Sequence, residues 1–181
     1  SADSFADLTK IVENNQVAFG DQYTWSSYNP TTHKVIYTQK ADKLTIMDGS
    51  SQIIFTINAN DQVVSYEQTY AGSVQVLGKE RELISAQKAV EVLYLAGRIS
   101  SKATVQSVKL SYYQSLVLKD FSIYSPAWYI EIRQADGQLI ARRVDAIHGT
   151  VLANETLETT NTQTQRTTTN NTTTTQSVQQ Q

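Results

Sequence analysis

The stretch "AWYIEIRQADGQLIARRVDA", residues 127–146, has the alternation of two strands joined by a tight Asp-Gly turn. Because side chains on a strand alternate between faces, the length of that turn decides which residues reach the core. A two-residue turn would put the charged Arg143 on the same face as Ile132 and bury it. A three-residue turn over 135–137 instead places Ile132 opposite Ile140. The sequence therefore predicts the three-residue turn.

The same register assigns the remaining side chains of this hairpin to faces. It places Trp128 opposite Val144 on the inner face and requires Gly137 to adopt a positive φ at the bulge. Arg142 falls on the inner face near the end of the sheet, where it can extend its charged head toward water. Asp145 falls on the outer face at the end of a strand.

A helix is predicted before this hairpin, over residues 85–97. Ser85 can cap its first turn, and Gly97 can end it in the left-handed conformation. One apolar face is formed by Ala86, Ala89, Val90, Leu93 and Ala96, and it is widened by Val92 and Leu95. Strands are predicted over 104–114, 127–134 and 138–146, with a short last strand over 150–152.

The first half of the chain repeats this plan of a helix followed by antiparallel strands. Its helix is predicted from the spacing of Phe5, Leu8, Ile11 and Val12, with Asp3 or Ser4 as the cap. Strands separated by turn residues follow over 23–28, 34–39, 43–47, 53–57 and 63–70. We therefore predict an α+β fold of two similar subdomains, 1–80 and 81–153, each a helix packed on an antiparallel β-meander.

The end of the chain, residues 154–181, has a different composition. Twelve Thr, six Gln and four Asn make up 22 of its 28 residues. A segment with so few apolar side chains cannot offset its ordering entropy by burial. It is predicted to be a disordered tail.

Composition excludes several classes of function. The net charge of −2 and the scattered Lys and Arg residues offer no basic stripe for nucleic acid. The absence of cysteine excludes disulfides and thiolate metal sites. No run approaches the roughly 18 apolar residues that span a bilayer. The first residues, "SADSF", lack a methionine, so we expect a signal or anchor segment upstream.

Asp145 and His148 are the first candidates for acid/base or metal chemistry, because they lie three residues apart. A metal would need a third ligand, and the only other histidine, His33, lies in an unrelated polar loop. Asp and Gly are common at turns for backbone reasons, so we interpret this stretch as the end of a sheet. A hydrolase using paired carboxylates such as Glu67 and Glu131 is a weaker hypothesis. No catalytic residue, cofactor or metal is predicted.

Tyrosines are the remaining candidates for a functional surface. Adjacent aromatic pairs alternate between faces, so one member of each pair is expected to point outward. Tyr113 and Tyr129 are predicted as the outward residues of an interaction surface, since tyrosine brings contact area at low entropy cost. The alternative is that these tyrosines are core or ordinary surface residues.

Five segments together resemble the YycI family: "DQVVSYEQTY" 61–70, "LISAQKAVEVLYLAGRI" 83–99, "LSYYQ" 110–114, "SPAWYIEI" 125–132 and "VDAIHGTVL" 144–152. YycI proteins are membrane-anchored regulators of the YycG (WalK) sensor histidine kinase in low-GC Gram-positive bacteria. The similarity covers most of residues 20–153. The second half also resembles the small PepSY-type module.

The resemblance implies an extracytoplasmic domain with an N-terminal transmembrane anchor outside this chain. It further implies a complex with a YycH-like protein and a YycG/WalK-like histidine kinase, which adjusts signalling over cell-wall metabolism, and it implies no catalytic motif. The alternative hypothesis is a surface module that binds peptide or cell-wall glycan without the kinase.

Overall fold

The structure is a computed structural model, and it describes residues 2–72, 74–75, 80–153 and 174–177. The chain divides into two compact units, of which the first is Ser1–Val74 with Thr168–Gln181 and the second is Gln75–Thr167. Among the described residues, each unit has one α-helix and one antiparallel sheet, which confirms the predicted α+β fold.

The first unit is a helix followed by a meander, as predicted. Its elements are α1 (Ala6–Glu13), β1 (Tyr23–Asn29), β2 (Lys34–Ala41), β3 (Leu44–Thr45), β4 (Gln52–Ile57) and β5 (Val63–Gln68). β1, β2, β4 and β5 pair in that order, and the two-residue β3 pairs with the end of β2. The strands follow the apolar alternation of the sequence, and Asx-type turns at Asn29 and Asn58 separate them.

The helix of this unit covers one face of the sheet. The core consists of Val12, Val17, Tyr23, Val35, Tyr37, Ile53, Phe55 and Ile57, with Phe5 and Leu8 packed against it. Two details of the prediction are wrong. Ile11 is 38% exposed, because it lies about 100° around the helix from the buried Val12. The N-cap is Phe5 rather than Asp3 or Ser4, because a 3₁₀ turn precedes the helix.

The second unit consists of one helix and a three-stranded sheet. Its elements are α2 (Ala86–Leu95), β6 (Thr104–Val117), β7 (Ser122–Arg133) and β8 (Leu139–Asp145), with β7 central. Ala89 and Leu93 on α2 are fully buried against Ile130, Ile132 and Val144 of the sheet. Burial of apolar surface stabilises a fold by about 25 cal/mol per Å². These apolar contacts are therefore the main interaction that holds the helix on the sheet.

The predicted register of the β7–β8 hairpin is confirmed. Ile132 pairs with Ile140, and Trp128 pairs with Val144. Gln134 N–H donates to the Gln138 carbonyl at 2.8 Å and closes a three-residue loop, in which Gly137 has a φ of 85°. The loop length is therefore the one that buries the apolar face of the hairpin, as predicted.

Both predicted ends of α2 are confirmed. The Ser85 side chain accepts a hydrogen bond from Lys88 N–H at 3.1 Å. Gly97 has a φ of 67°, and Arg98 N–H donates to the Leu93 carbonyl at 2.9 Å in a Schellman-type closure. Leu95 does not join the apolar stripe and is 74% exposed, because two residues rotate it about 200° away from Leu93.

The β6–β7 hairpin is longer than predicted. The first predicted strand ends at 114 and the next begins at 127, whereas the observed pairing continues to Val117 and Ser122. Pro126 lies within the central strand, where proline is rare. Its carbonyl accepts from Ala146 N–H on the β8 side, and β8 has already ended at Asp145. The N–H group that proline lacks would point to the side where β8 has ended, so no hydrogen bond between paired strands is lost.

Part of the predicted disordered tail forms a strand. β9 (Thr174–Ser177) pairs antiparallel with β5, on the side of β5 that β4 leaves open. Threonine favours strands once a partner is present, and an unpaired edge supplies one. Residues 154–173 and 178–181 of the predicted tail lie outside the described residues.

Candidate functional site

Asp145 has several hydrogen-bond partners among the described residues of the second unit. It is only 3% exposed and lies where β8 ends. Its Oδ1 accepts from Ile147 N–H at 2.9 Å and His148 N–H at 2.6 Å. Its backbone N–H donates to the Thr150 carbonyl at 2.8 Å, so the residue fixes both sides of the turn. The turn then leads to a bridge between Val144 and Val151.

Tyr113 on β6 supplies a further hydrogen bond to the same carboxylate. Its hydroxyl donates to Asp145 Oδ2 at 2.6 Å. Burial, this hydrogen bond and the charge of Asp145 together raise the pKa of Tyr113 to about 12. The phenol is therefore a firm donor at neutral pH and ties the outer strand β6 to the turn after β8.

The balance of effects keeps Asp145 ionised. Burial raises the pKa of this carboxyl, but the hydrogen bonds from Tyr113, His148 and Ile147 outweigh burial, and the net pKa is lowered. His148 Nδ1 lies 3.1 Å from Oδ1, and the imidazole is 70% exposed. The carboxylate is thus occupied on both oxygens by groups that fix the turn, as the interpretation of this stretch as a sheet end requires.

The other candidates from the sequence are not assembled into a reactive site. His33 has a φ of 54° in the turn between β1 and β2, and its carbonyl accepts from Ile57 N–H. Glu67 is exposed on β5 of the first unit, and Glu131 lies on β7 of the second. Within the described ranges, no three His, Asp or Glu residues are close enough to hold a metal ion.

The prediction that Tyr129 points outward to solvent is wrong. It does lie on the face opposite α2, but it is only 7% exposed. Because β7 is the central strand, Tyr129 has Lys109 on one side and Arg143 on the other, and side chains of this length can cover a ring between them. Burial and the charge of Glu131 raise its pKa to about 12. Tyr113 is only partly exposed.

An exposed apolar patch, which is not predicted from the sequence, lies at the tip of the β6–β7 hairpin. We call it the hairpin tip, and it consists of Leu116, Val117, Leu118 and Phe121, which are 46, 52, 40 and 55% exposed. Leu118 N–H donates to the Phe121 carbonyl at 2.9 Å, which holds the turn. Its signal was present in the string "SLVLKDF", 115–121, where three consecutive apolar residues and Phe121 flank the charged pair Lys119-Asp120.

A buried polar cluster in the first unit was also missed. Gln39 Oε1 accepts hydrogen bonds from the Ser51 hydroxyl and from Ala71 N–H. Gln39 and Ser51 are each at most 1% exposed. Tyr23 donates to the Thr69 carbonyl at 2.6 Å. These bonds fix the chain that leaves β5, and they satisfy groups that would otherwise be buried unpaired. The arrangement is structural.

Comparison with models of known protein families finds a match. The model of the family described as YycI protein matches residues 1–147, which includes every strand from β1 to β8. No curated protein matches the chain. None of the helices in the described part of the chain has the length and apolarity needed to cross a membrane. YycI is a regulatory family associated with the membrane-anchored YycG system. The chain belongs to the YycI family.

Proposed function

We propose that this chain is the extracytoplasmic domain of a membrane-anchored, non-enzymatic regulator of a YycG/WalK-type sensor kinase that controls cell-wall metabolism. The observation that carries the proposal is the family match over residues 1–147. The occupied carboxylate of Asp145 supports it, because both oxygens of that side chain are committed to fold contacts. A YycH-like protein and the kinase are the proposed partners.

The hairpin tip is the proposed contact surface for these partners. Contiguous exposed apolar side chains mark protein interaction sites more often than scattered ones do. The four side chains project at the end of strands of 14 and 12 residues, where a partner can reach them. Anchoring in one bilayer would raise the effective concentration, so a small contact can suffice.

A co-purification experiment tests this surface. The full-length protein is isolated from membranes of its host, and the recovered kinase and YycH-like protein are quantified. Replacing Val117 and Phe121 together by Ser should lower recovery by about tenfold or more, since buried apolar anchors dominate such interfaces. The matched control replaces Tyr94 and Leu95 on α2 by Ser in the same way. These residues are 62 and 74% exposed, and the change should leave recovery of the partners unchanged.

A genetic experiment tests the regulation itself. Deleting the full-length gene should change the expression of cell-wall hydrolase genes in the host, and a shift in kinase output needs only about 1–3 kcal/mol of coupling. Unchanged expression across growth and wall-stress conditions would contradict the proposal. The alternative of a module that binds peptide or glycan relied on outward tyrosines, and Tyr129 is buried while the Tyr113 hydroxyl is engaged.

A further inference from the structure

A cavity of about 240 Å³ lies in the second unit, between the end of α2 and the β7–β8 hairpin. Arg98, Ser100 and Gln134 line its polar side, and Ile132 and Ile140 line its apolar side, with Arg142 also at the wall. The volume is several times the roughly 30 Å³ that one water occupies. It is below the roughly 300–1,000 Å³ of a pocket for a drug-sized ligand. The space therefore suits a small group.

Two arginines, Arg98 and Arg142, line this space, and no acidic residue lines it with them. Neither Arg98 nor Arg142 forms an ion pair within the described ranges of the chain. Arg142 donates one hydrogen bond, to the Ala141 carbonyl at 3.2 Å, and its buried Nε has no partner. Burial and the charge of Arg98 both lower the pKa of Arg142, which is the signature of a cation held near another cation.

The backbone fixes the positions of both arginines. Arg98 follows the left-handed Gly97, and its N–H closes the Schellman motif at the end of α2. Arg142 is on the inner face of β8 because it pairs with Ile130 in a register that buries its neighbours. A buried donor without a partner costs free energy in folding, so a site that keeps one is a candidate for a ligand.

We infer that this cavity binds a carboxylate carried on an aliphatic stem. Arginine offers planar paired donors that match the two oxygens of a carboxylate. Ile132 and Ile140 offer an apolar wall for methylene groups. A phosphate group has three strongly hydrated oxygens, and one of them would lie against this apolar wall without a hydrogen-bond partner. The carboxylate can come from an acidic side chain of a polypeptide or from a free small acid.

An NMR titration of the purified 181-residue chain tests the site with sodium propionate as the probe, at constant ionic strength. Saturable shifts are expected at the amides of Arg98, Ser100 and Gln134. Propionamide, which has the same shape without the charge, should give no saturable shift. Linear shifts with propionate, or tighter binding of inorganic phosphate to the same residues, would overturn the inference.

Variants locate the binding groups. R142Q and R98Q should each weaken propionate binding by about tenfold or more, because each removes a charge-assisted donor. The matched control is R143Q, one residue along β8 on the opposite face, which should change the dissociation constant by no more than about twofold. Arg98 is exposed, so R98Q keeps the test valid if R142Q fails to fold. Equal loss in R143Q would overturn the inference.

Binding of a short peptide distinguishes the two sources of the carboxylate. An acetylated and amidated Gly-Glu-Gly peptide that binds more tightly than propionate, with the Gly-Gln-Gly peptide inactive, would assign the site to an acidic polypeptide. Equal binding of peptide and propionate would assign it to a free small acid. Both results uphold the carboxylate site, and neither depends on the kinase or on the hairpin tip.

Discussion

At the scale of single residues, Asp145 and His148 show that two side chains capable of acid/base chemistry can have a purely structural role. Its spacing from His148 suggested acid/base work, and the structure uses the carboxylate to hold a turn. The turn role was predictable, because aspartate accepts hydrogen bonds from nearby backbone N–H groups. The bond from Tyr113 was not, because it depends on how β6 is placed 32 residues away in sequence.

Replacing Tyr113 by Phe tests this bond. We expect the free energy of unfolding at pH 7 to fall by about 1–2 kcal/mol, because Asp145 loses a buried hydrogen bond to its charged form. The native pKa of Asp145 is lowered, so its stabilising effect is present above the unfolded pKa of about 3.9 and is lost as pH falls through the native pKa. The difference between the two proteins should therefore shrink as the pH falls below the unfolded pKa of Asp145 and through its lowered native pKa.

Urea unfolding at pH 7 and at low pH measures that difference. Tyr112→Phe is the matched control, because Tyr112 is the neighbouring strand residue and its hydroxyl has no hydrogen bond in the described part of the chain. It should change stability by no more than about 0.5 kcal/mol at either pH. A loss for Tyr113→Phe that stays the same at both pH values would show that Asp145 ionisation is not involved.

At the scale of elements, the sequence predicts what lies within one hairpin or one helix. The β7–β8 register and the two ends of α2 follow from short-range rules, and each is confirmed. The extended ends of β6 and β7 do not follow, because Pro126 argues locally against a central strand. That proline is tolerated only because β8 stops beside it, which is a property of the sheet rather than of the segment.

The packing of α1 against the turn before β1 depends on a single glycine. An added Cβ at Gly20 would lie 2.0 Å from the Val12 carbonyl oxygen, which is backbone and cannot move aside. Gly20→Ala should therefore lower the free energy of unfolding by about 3 kcal/mol or more, since the helix must shift as a whole. Thermal unfolding followed by circular dichroism measures the effect.

Gly137→Ala provides the comparison. Its Cβ would meet nothing within 4 Å, so only the positive φ of 85° opposes the change. The cost of placing an L side chain there is about 1–2 kcal/mol. If Gly20→Ala were no worse than Gly137→Ala, then the close approach of the helix to Gly20 would not exist in solution.

At the scale of the whole molecule, two separate hydrophobic cores account for the two units. One core is drawn from residues between 5 and 70, and the other from residues between 84 and 151. The sequence predicts this doubling because a helical pattern restarts at 85 after a complete meander. It does not predict β9, since a segment of Thr, Gln and Asn carries no apolar pattern by which a pairing partner could be chosen.

Leu93→Ala tests whether each core stabilises its own unit. Leu93 is fully buried at the centre of the second core, so the substitution should cost about 2–5 kcal/mol through lost burial and the remaining cavity. Native-state hydrogen exchange should then quicken for the amides of β6, β7 and β8, while those of β1, β2, β4 and β5 keep their protection. Val12→Ala, in the first core, should produce the reverse pattern. Equal loss of protection in all strands after either substitution would mean that both cores unfold together as one cooperative structure.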